Sequence, residues 1–184
     1  MNNRRKIQSL ALSAMFLALS FVTPFLTGQV QQLGSMFCPM YIPIILCGFI
    51  CGAPYGFMIG FIAPVFRSLT LGMPPLIPTA CAMSFELAVY GFFSGFFYRI
   101  LPKNKGSIYL SLLISMLLGR LTWGLIQLGF AGFDTQQFTF AAFWSGAFVH
   151  ALPGLVLQVI LVPVLVMAAE KTVLKNNNSG TNGN

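Results

Sequence analysis

The chain has 184 residues, of which 57% are hydrophobic and 7% are charged, and its formal net charge is +7. A soluble domain carries about 25% charged residues, so this composition excludes a soluble globule and indicates a protein surrounded mostly by lipid. At about 20 apolar residues for each span, the length allows five or six transmembrane helices in one domain.

Long apolar runs, separated by Pro, Gly and charged residues, predict six membrane-spanning helices. In chain order they cover about residues 7–26, 40–53, 55–70, 78–98, 107–130 and 140–169, with the second and third divided at Ala53-Pro54. We therefore predict an all-α membrane protein, a bundle of six transmembrane helices. Residues 1–175 form a single transmembrane domain in this prediction, and residues 176–184 form a disordered polar tail.

Basic residues in the connecting segments predict the orientation of the bundle. The loops at 27–39, 71–77 and 131–139 contain no Lys or Arg. The opposite side receives Arg4, Arg5, Lys6, Arg99, Lys103, Lys105, Lys171 and Lys175. Because cytoplasmic loops are enriched in Lys and Arg, both termini are predicted to be cytoplasmic in a multi-pass protein of the cell membrane. The same rule accounts for the net charge without a nucleic-acid partner.

Four ionisable side chains fall inside the apolar spans: Arg67, Glu86, Arg120 and His150. Such a group costs about 2.5–3.5 kcal/mol at the centre of a bilayer, so each is expected to face the bundle interior and to have a partner or a ligand. At 1.5 Å of rise per residue, the last three lie about 12–15 Å below the outer surface. Arg67 lies above that layer, nearer the outer end of helix 3.

Polar and aromatic side chains share helical faces with these charges. Helix 4 aligns Thr79, Met83, Glu86 and Tyr90, helix 5 aligns Arg120, Trp123 and Gln127, and helix 6 aligns Gly146, His150, Gly154 and Gln158. This combination suits a small, polar and partly planar ligand. The predicted binding residues are Arg67, Glu86, Tyr90, Arg120, Trp123, Gln127 and His150.

Structural interpretations of the same residues stay open. Glu86 and Arg120 either bind a ligand or form an ion pair that joins helices 4 and 5. His150 either binds a ligand or donates to a backbone carbonyl, and Arg67 either faces the ligand or extends to the membrane interface.

Motifs for catalysis and for metal binding are absent from the sequence. It contains no GxxxxGK[ST] phosphate loop, GxSxG, HExxH or CxxC, and the four cysteines have no zinc-ligand spacing. We expect no enzymatic activity, no cofactor and no metal site. A polar cavity without catalytic groups indicates binding or passage of a solute.

Several segments resemble one transporter family. Helix 1 contains Ala14-Met15-Phe16-Leu17-Ala18, which is similar to the AxxxA motif of the substrate-binding (S) components of energy-coupling factor (ECF) vitamin transporters. Residues 46–52, 60–68, 72–80 and 86–91 are similar to the branch that includes riboflavin, folate and pantothenate members. The resemblance covers about residues 8–168.

The resemblance implies a protein that captures one vitamin from outside and then docks on a transmembrane coupling subunit driven by two ATPase subunits. Ala14 and Ala18 would face the coupling subunit. Ligand contacts would come from the outer halves of helices 4 to 6, and the loop at 27–36 would serve as a lid.

The charge of the predicted cavity bears on the substrate. Two arginines and one glutamate leave about +1 if His150 is neutral, which favours a ligand with one carboxylate or phosphate, such as pantothenate. Riboflavin, pyridoxine and hydroxymethylpyrimidine are neutral alternatives that aromatic residues such as Trp123 would stack against.

A second class of function is a stand-alone proton-coupled transporter with Glu86 and His150 as the proton relay. The AxxxA surface and the lack of an obvious internal repeat favour the partner-dependent interpretation.

Overall fold

Long apolar helices make up most of the chain that the structure describes. The computed structural model describes residues 3–26, 39–72, 74–102, 104–130 and 152–179. These ranges contain six α-helices: α1 (Asn3–Leu26), α2 (Tyr41–Cys51), α3 (Ala53–Leu71), α4 (Cys81–Ile100), α5 (Lys105–Phe130) and α6 (Leu152–Ser179). The predicted all-α class and the six helices are confirmed.

The break between α2 and α3 falls at Gly52, one residue before the predicted division. Gly52 has a φ of 103°, a conformation that costs glycine little and other residues much more. Pro54 lies in the first turn of α3, where its missing N–H has no intrahelical partner to lose. The glycine therefore ends α2 and the proline starts α3.

The ends of α4 and α6 also differ from the sequence prediction. A π-helical turn over Leu76–Ala80 precedes α4, and Ile77 within it has extended backbone angles. The first part of the predicted sixth helix, residues 140–151, lies outside the described residues. At its other end α6 continues to Ser179, four residues into the predicted tail. Disorder of the remaining tail stays a prediction.

Glycine contacts fix the register of α3 against α4. A Cβ atom at Gly56 would overlap the backbone of Gly91, and one at Gly60 would overlap the backbone of Leu87. Residue numbers rise on one helix as they fall on the other, so the two helices are antiparallel. The small residues bring the two backbones into direct contact, as is typical of membrane helices.

Aromatic pairs show that α2 runs parallel to α4. The ring of Tyr41 lies 5.3 Å from that of Tyr90, and the ring of Phe49 lies 5.2 Å from that of Tyr98. Tyr41 is the first residue of α2, whereas Tyr90 is nine residues into α4. The N-terminus of α2 therefore lies about 13 Å below the level at which α4 begins.

Helix α5 is antiparallel to α4. The Ser111 hydroxyl donates to the Ser94 carbonyl oxygen at 2.9 Å, and Gly119 lies against the Tyr90 ring and the Glu86 carbonyl. The alternating directions of α2 to α5 show that the chain passes back and forth through the bundle.

The surface of the bundle is apolar and suits contact with lipid. The stretches Lys6–Thr23, Ala53–Leu71 and Lys105–Phe130 are long and apolar enough to cross a membrane, and Tyr41–Cys51 and Gly154–Ala169 are shorter apolar helices. Large hydrophobic side chains such as Leu69 and Leu125 are about 70% exposed, which water would not favour.

An apolar groove with a volume of about 460 Å³ lies on the surface of the bundle, between α3 and α4. Its lining residues are Pro54, Phe57, Met58, Val89, Phe92 and Phe93. Since none of these side chains offers a hydrogen bond, the groove does not suit a polar solute.

Candidate functional site

A fully buried carboxylate lies at the centre of the bundle. One oxygen of Glu86 on α4, Oε2, accepts a hydrogen bond from the Tyr41 hydroxyl of α2 at 2.8 Å. The other oxygen, Oε1, lies 3.1 Å from Nη1 of Arg120 on α5. Three helices are thus joined through one side chain.

The aromatic rings of two tyrosines complete this arrangement. The Arg120 guanidinium carbon lies 5.8 Å from the centroid of the Tyr41 ring, within the range of a cation–π interaction. The Tyr41 ring in turn meets the Tyr90 ring edge to face. We call Tyr41, Glu86, Tyr90 and Arg120 the charged cluster.

Burial explains why the members of the charged cluster lie together. Only 1% of the Glu86 side chain and 7% of the Arg120 side chain are exposed. An isolated charge at such a position would carry a desolvation cost of several kcal/mol, which the opposite charge and the hydrogen bonds offset. Of the two arrangements that the sequence allows, the ion pair is present, and the charged cluster has no net formal charge.

Two further predicted binding residues follow Arg120 along α5. Trp123 and Gln127 lie about 5 and 10 Å beyond it, on the side away from Lys105, and both side chains are half-buried. The hydrogen bond between Ser111 and Ser94 sets the register of α5 against α4, so Trp123 and Gln127 lie level with Met83 and Thr79. The side chains of Met83 and Thr79 are also half-buried. An aromatic ring, an amide and a hydroxyl therefore lie on one side of the charged cluster.

Arg67 lies on α3 at the same end of the bundle. It is seven residues beyond Gly60, which contacts Leu87, so it reaches the level where α4 begins, about 9 Å above Glu86. The side chain is half-buried, and its Nε atom is buried with no hydrogen-bond partner among the described residues. The structure thus separates Arg67 from the charged cluster, as the depth estimate from the sequence predicted.

The remaining predicted elements of the site lie outside the described residues. These are His150 and the loop at 27–36, whose roles stay predictions. Sequence reasoning also missed one member of the charged cluster, Tyr41. A tyrosine at the start of an apolar run needs a partner for its hydroxyl, and that requirement is the signal that would have indicated it.

The two alanines of the AxxxA motif lie on an exposed surface of the bundle, in contrast to the buried charged cluster. Ala14 and Ala18 are exposed on α1, whereas Ser13, Phe16 and Ser20 on the other face of the same helix are buried. The exposed line of small side chains would allow another helix to approach closely.

The fold and the site define a class of protein: an integral membrane bundle of helices with paired polar and charged side chains at its centre. The chain matches the family of ECF transporter substrate-specific components over residues 8–166. It therefore belongs to this family. No curated protein and no solved structure gives a significant match.

Membership in the family has general consequences for the role of the protein. Such components are integral membrane subunits that bind a vitamin-type substrate for a transporter, and they work with membrane-embedded coupling and ATPase subunits. The family is a transport component and not an enzyme family. The resemblance to the riboflavin, folate and pantothenate branch stays a prediction.

Proposed function

We propose that this protein captures pantothenate at the outer end of its helix bundle and delivers it through a coupling subunit and two ATPase subunits. The observation that carries the substrate assignment is the ion pair between Glu86 and Arg120 at 3.1 Å. Because these two charges compensate each other, Arg67 supplies the unbalanced positive charge among the described residues of the site.

A single unbalanced cation favours a ligand with a single negative charge, and pantothenate carries one carboxylate. In this proposal the carboxylate binds Arg67, whose Nε atom has no partner among the described residues. Trp123 and Gln127 flank the body of the ligand, while Glu86, Tyr90 and Arg120 lie at its inner end. His150 belongs to the proposed site through its predicted depth on helix 6.

Riboflavin, pyridoxine and hydroxymethylpyrimidine are the alternative substrates. Each is neutral or nearly so and would depend on stacking against Trp123 and on hydrogen bonds to Gln127 more than on Arg67. The dependence of binding on Arg67 therefore separates the two kinds of ligand.

Two measurements test the assignment. Mass spectrometry of the protein purified from its membrane should identify pantothenate as a bound molecule, and calorimetry with the four vitamins should rank pantothenate first. Arg67→Gln should weaken pantothenate binding by about 10- to 100-fold, because a charge-assisted contact is worth about 1.5–3 kcal/mol.

Arg99→Gln is the matched control. Arg99 is exposed at the C-terminal end of α4, far from Arg67, so its substitution should leave affinity unchanged. If Arg67→Gln binds pantothenate as tightly as the wild type does, the carboxylate does not bind Arg67. If a neutral vitamin ranks first instead, the substrate assignment is wrong.

A further inference from the structure

A buried amide on α6 has no hydrogen-bond partner among the residues that the structure describes. Gln158 has no exposed surface, and neither Oε1 nor Nε2 makes a hydrogen bond with any residue in the described ranges. Its neighbours along the same face, Gly154 and Val162, are buried and apolar. Gln158 is thus the polar position on an otherwise apolar buried face.

Leaving such a group unsatisfied is costly. A buried donor or acceptor without a partner destabilises a protein by about 1–3 kcal/mol, and most buried side-chain polar atoms are paired. Leucine has nearly the same size and would fill this position without that cost. A ligand that pairs with the amide would remove this cost.

The depth of Gln158 matches that of the charged cluster. Basic residues mark the predicted cytoplasmic ends of the helices. Gln158 lies 13 residues before Lys171 on α6, and Glu86 lies 13 residues before Arg99 on α4. At 1.5 Å per residue, both positions are about 20 Å from the cytoplasmic ends of their helices.

The helices that pack against α6 carry members of the charged cluster. Helix α6 contacts α2, which begins with Tyr41, and α5, which carries Arg120. Gln158 therefore lies in the same layer as these residues, on the helix next to both of theirs.

We propose that Gln158 binds the captured vitamin through paired hydrogen bonds, and that the ligand presents a donor and an acceptor on neighbouring atoms. An amide offers both kinds of group, and neither is paired within the described part of the chain, so the complementary group on the ligand would supply both. The hydroxyl and carbonyl of the pantoyl end of pantothenate meet this requirement, as do the imide of riboflavin and the aminopyrimidine of hydroxymethylpyrimidine. This inference rests on the proposed function and adds a contact to its site.

Gln158→Leu tests the inference, which predicts that this substitution raises stability and weakens binding. The variant, purified in detergent without ligand, should melt about 2–12 °C above the wild type, since the buried amide is gone. Calorimetric titration with pantothenate, riboflavin, pyridoxine and hydroxymethylpyrimidine should show about 10- to 100-fold weaker affinity for whichever of them the wild type binds.

Gln8→Leu is the matched control, because Gln8 is exposed on α1 and the same substitution there should change neither quantity. Gln158→Met serves as a second variant if Gln158→Leu is recovered poorly. Weaker binding without loss of melting temperature, in either variant, supports the inference.

Two results would overturn it. Wild-type affinity in the Gln158 variants would show that the amide does not contact the ligand, and a lower melting temperature in both variants would show a structural role. A wild-type protein that binds none of the four vitamins would instead overturn the proposed function, and with it the ligand class.

Discussion

At the scale of single residues, Glu86 joins three helices in the interior of the bundle. Its two oxygens have partners on two other helices, Tyr41 on α2 and Arg120 on α5. The carboxylate therefore links helices that are separated in the chain. Any change that removes one charge of the pair leaves the other buried and uncompensated.

This dependence gives a prediction for the ion pair. Arg120→Gln and Glu86→Gln should each destabilise the protein by about 3–5 kcal/mol, because each leaves one buried charge without a partner. The double variant should recover much of the lost stability. Thermal melting and size-exclusion chromatography of the four proteins in one detergent measure both effects.

Binding by the double variant then shows whether the pair also contacts the ligand. Wild-type affinity would mean that neither charge touches the vitamin, and would leave Arg67, Gln127 and Gln158 as the polar contacts to test. If the single variants are as stable as the wild type, the ion pair does not stabilise the bundle.

At the scale of helices, close contact between α3 and α4 depends on positions without a Cβ atom. Gly60 lies against the backbone of Leu87, whereas a Cβ at Gly129 on α5 would meet no atom of the described residues within 4 Å. Two glycines in one protein thus differ sharply in the space around them.

The contrast predicts opposite effects of the same substitution. Gly60→Ala should lower the free energy of unfolding by about 1–3 kcal/mol, because the backbones must separate to admit the methyl group. Gly129→Ala should be neutral or slightly stabilising, since alanine is the better helix former. Melting temperatures of the two variants test this, and equal values would contradict the register assigned to α3 and α4.

The exposed alanines of α1 give a prediction of another kind. Replacing Ala14 and Ala18 with Trp should abolish uptake in cells and leave vitamin binding in detergent nearly unchanged, because the bulky rings would keep the coupling subunit at a distance. Leu113→Trp and Leu117→Trp together form the control, since both positions are exposed on α5 at the same spacing. Loss of binding along with uptake would show that the α1 positions are structural.

The helices themselves were largely predictable from the sequence, whereas the contacts between them were not. Apolar runs and flanking charges place α1 and α5 within a few residues of their observed ends, because lipid imposes both the length and the composition of a span. The contact of Tyr41 with Glu86 depends on how far α2 slides along α4. That register is set by Gly48 and Gly91, and a hydrophobic pattern carries no information about it.

The candidate site was likewise predictable from the sequence only in part. The depths of Glu86 and Arg120 follow from counting residues along each helix, so their proximity was accessible from the sequence. The choice between an ion pair and a ligand contact depended on side-chain distances of about 3 Å, which helical periodicity does not determine.

At the scale of the whole molecule, family membership predicts that binding and transport are separable. The isolated chain in liposomes should bind pantothenate and should not concentrate it, because the sequence contains no phosphate-binding loop with which to use ATP. Uptake of radiolabelled pantothenate, with and without the coupling and ATPase subunits, measures the difference. Accumulation by the chain alone under a proton gradient would instead support the relay of Glu86 and His150.

The short length of α2 has a consequence for biogenesis. Its 11 residues extend about 16 Å, roughly half of a hydrocarbon core of about 30 Å, so this helix does not cross a bilayer by itself. Its first side chain bonds to Glu86 and its glycine packs on Gly91, and both partners are on α4. The ribosome makes α2 and α3 before these partners exist. We therefore expect α2 to reach its final depth only after α4 has entered the membrane, which makes the emergence of α4 the step that commits the nascent chain to its fold.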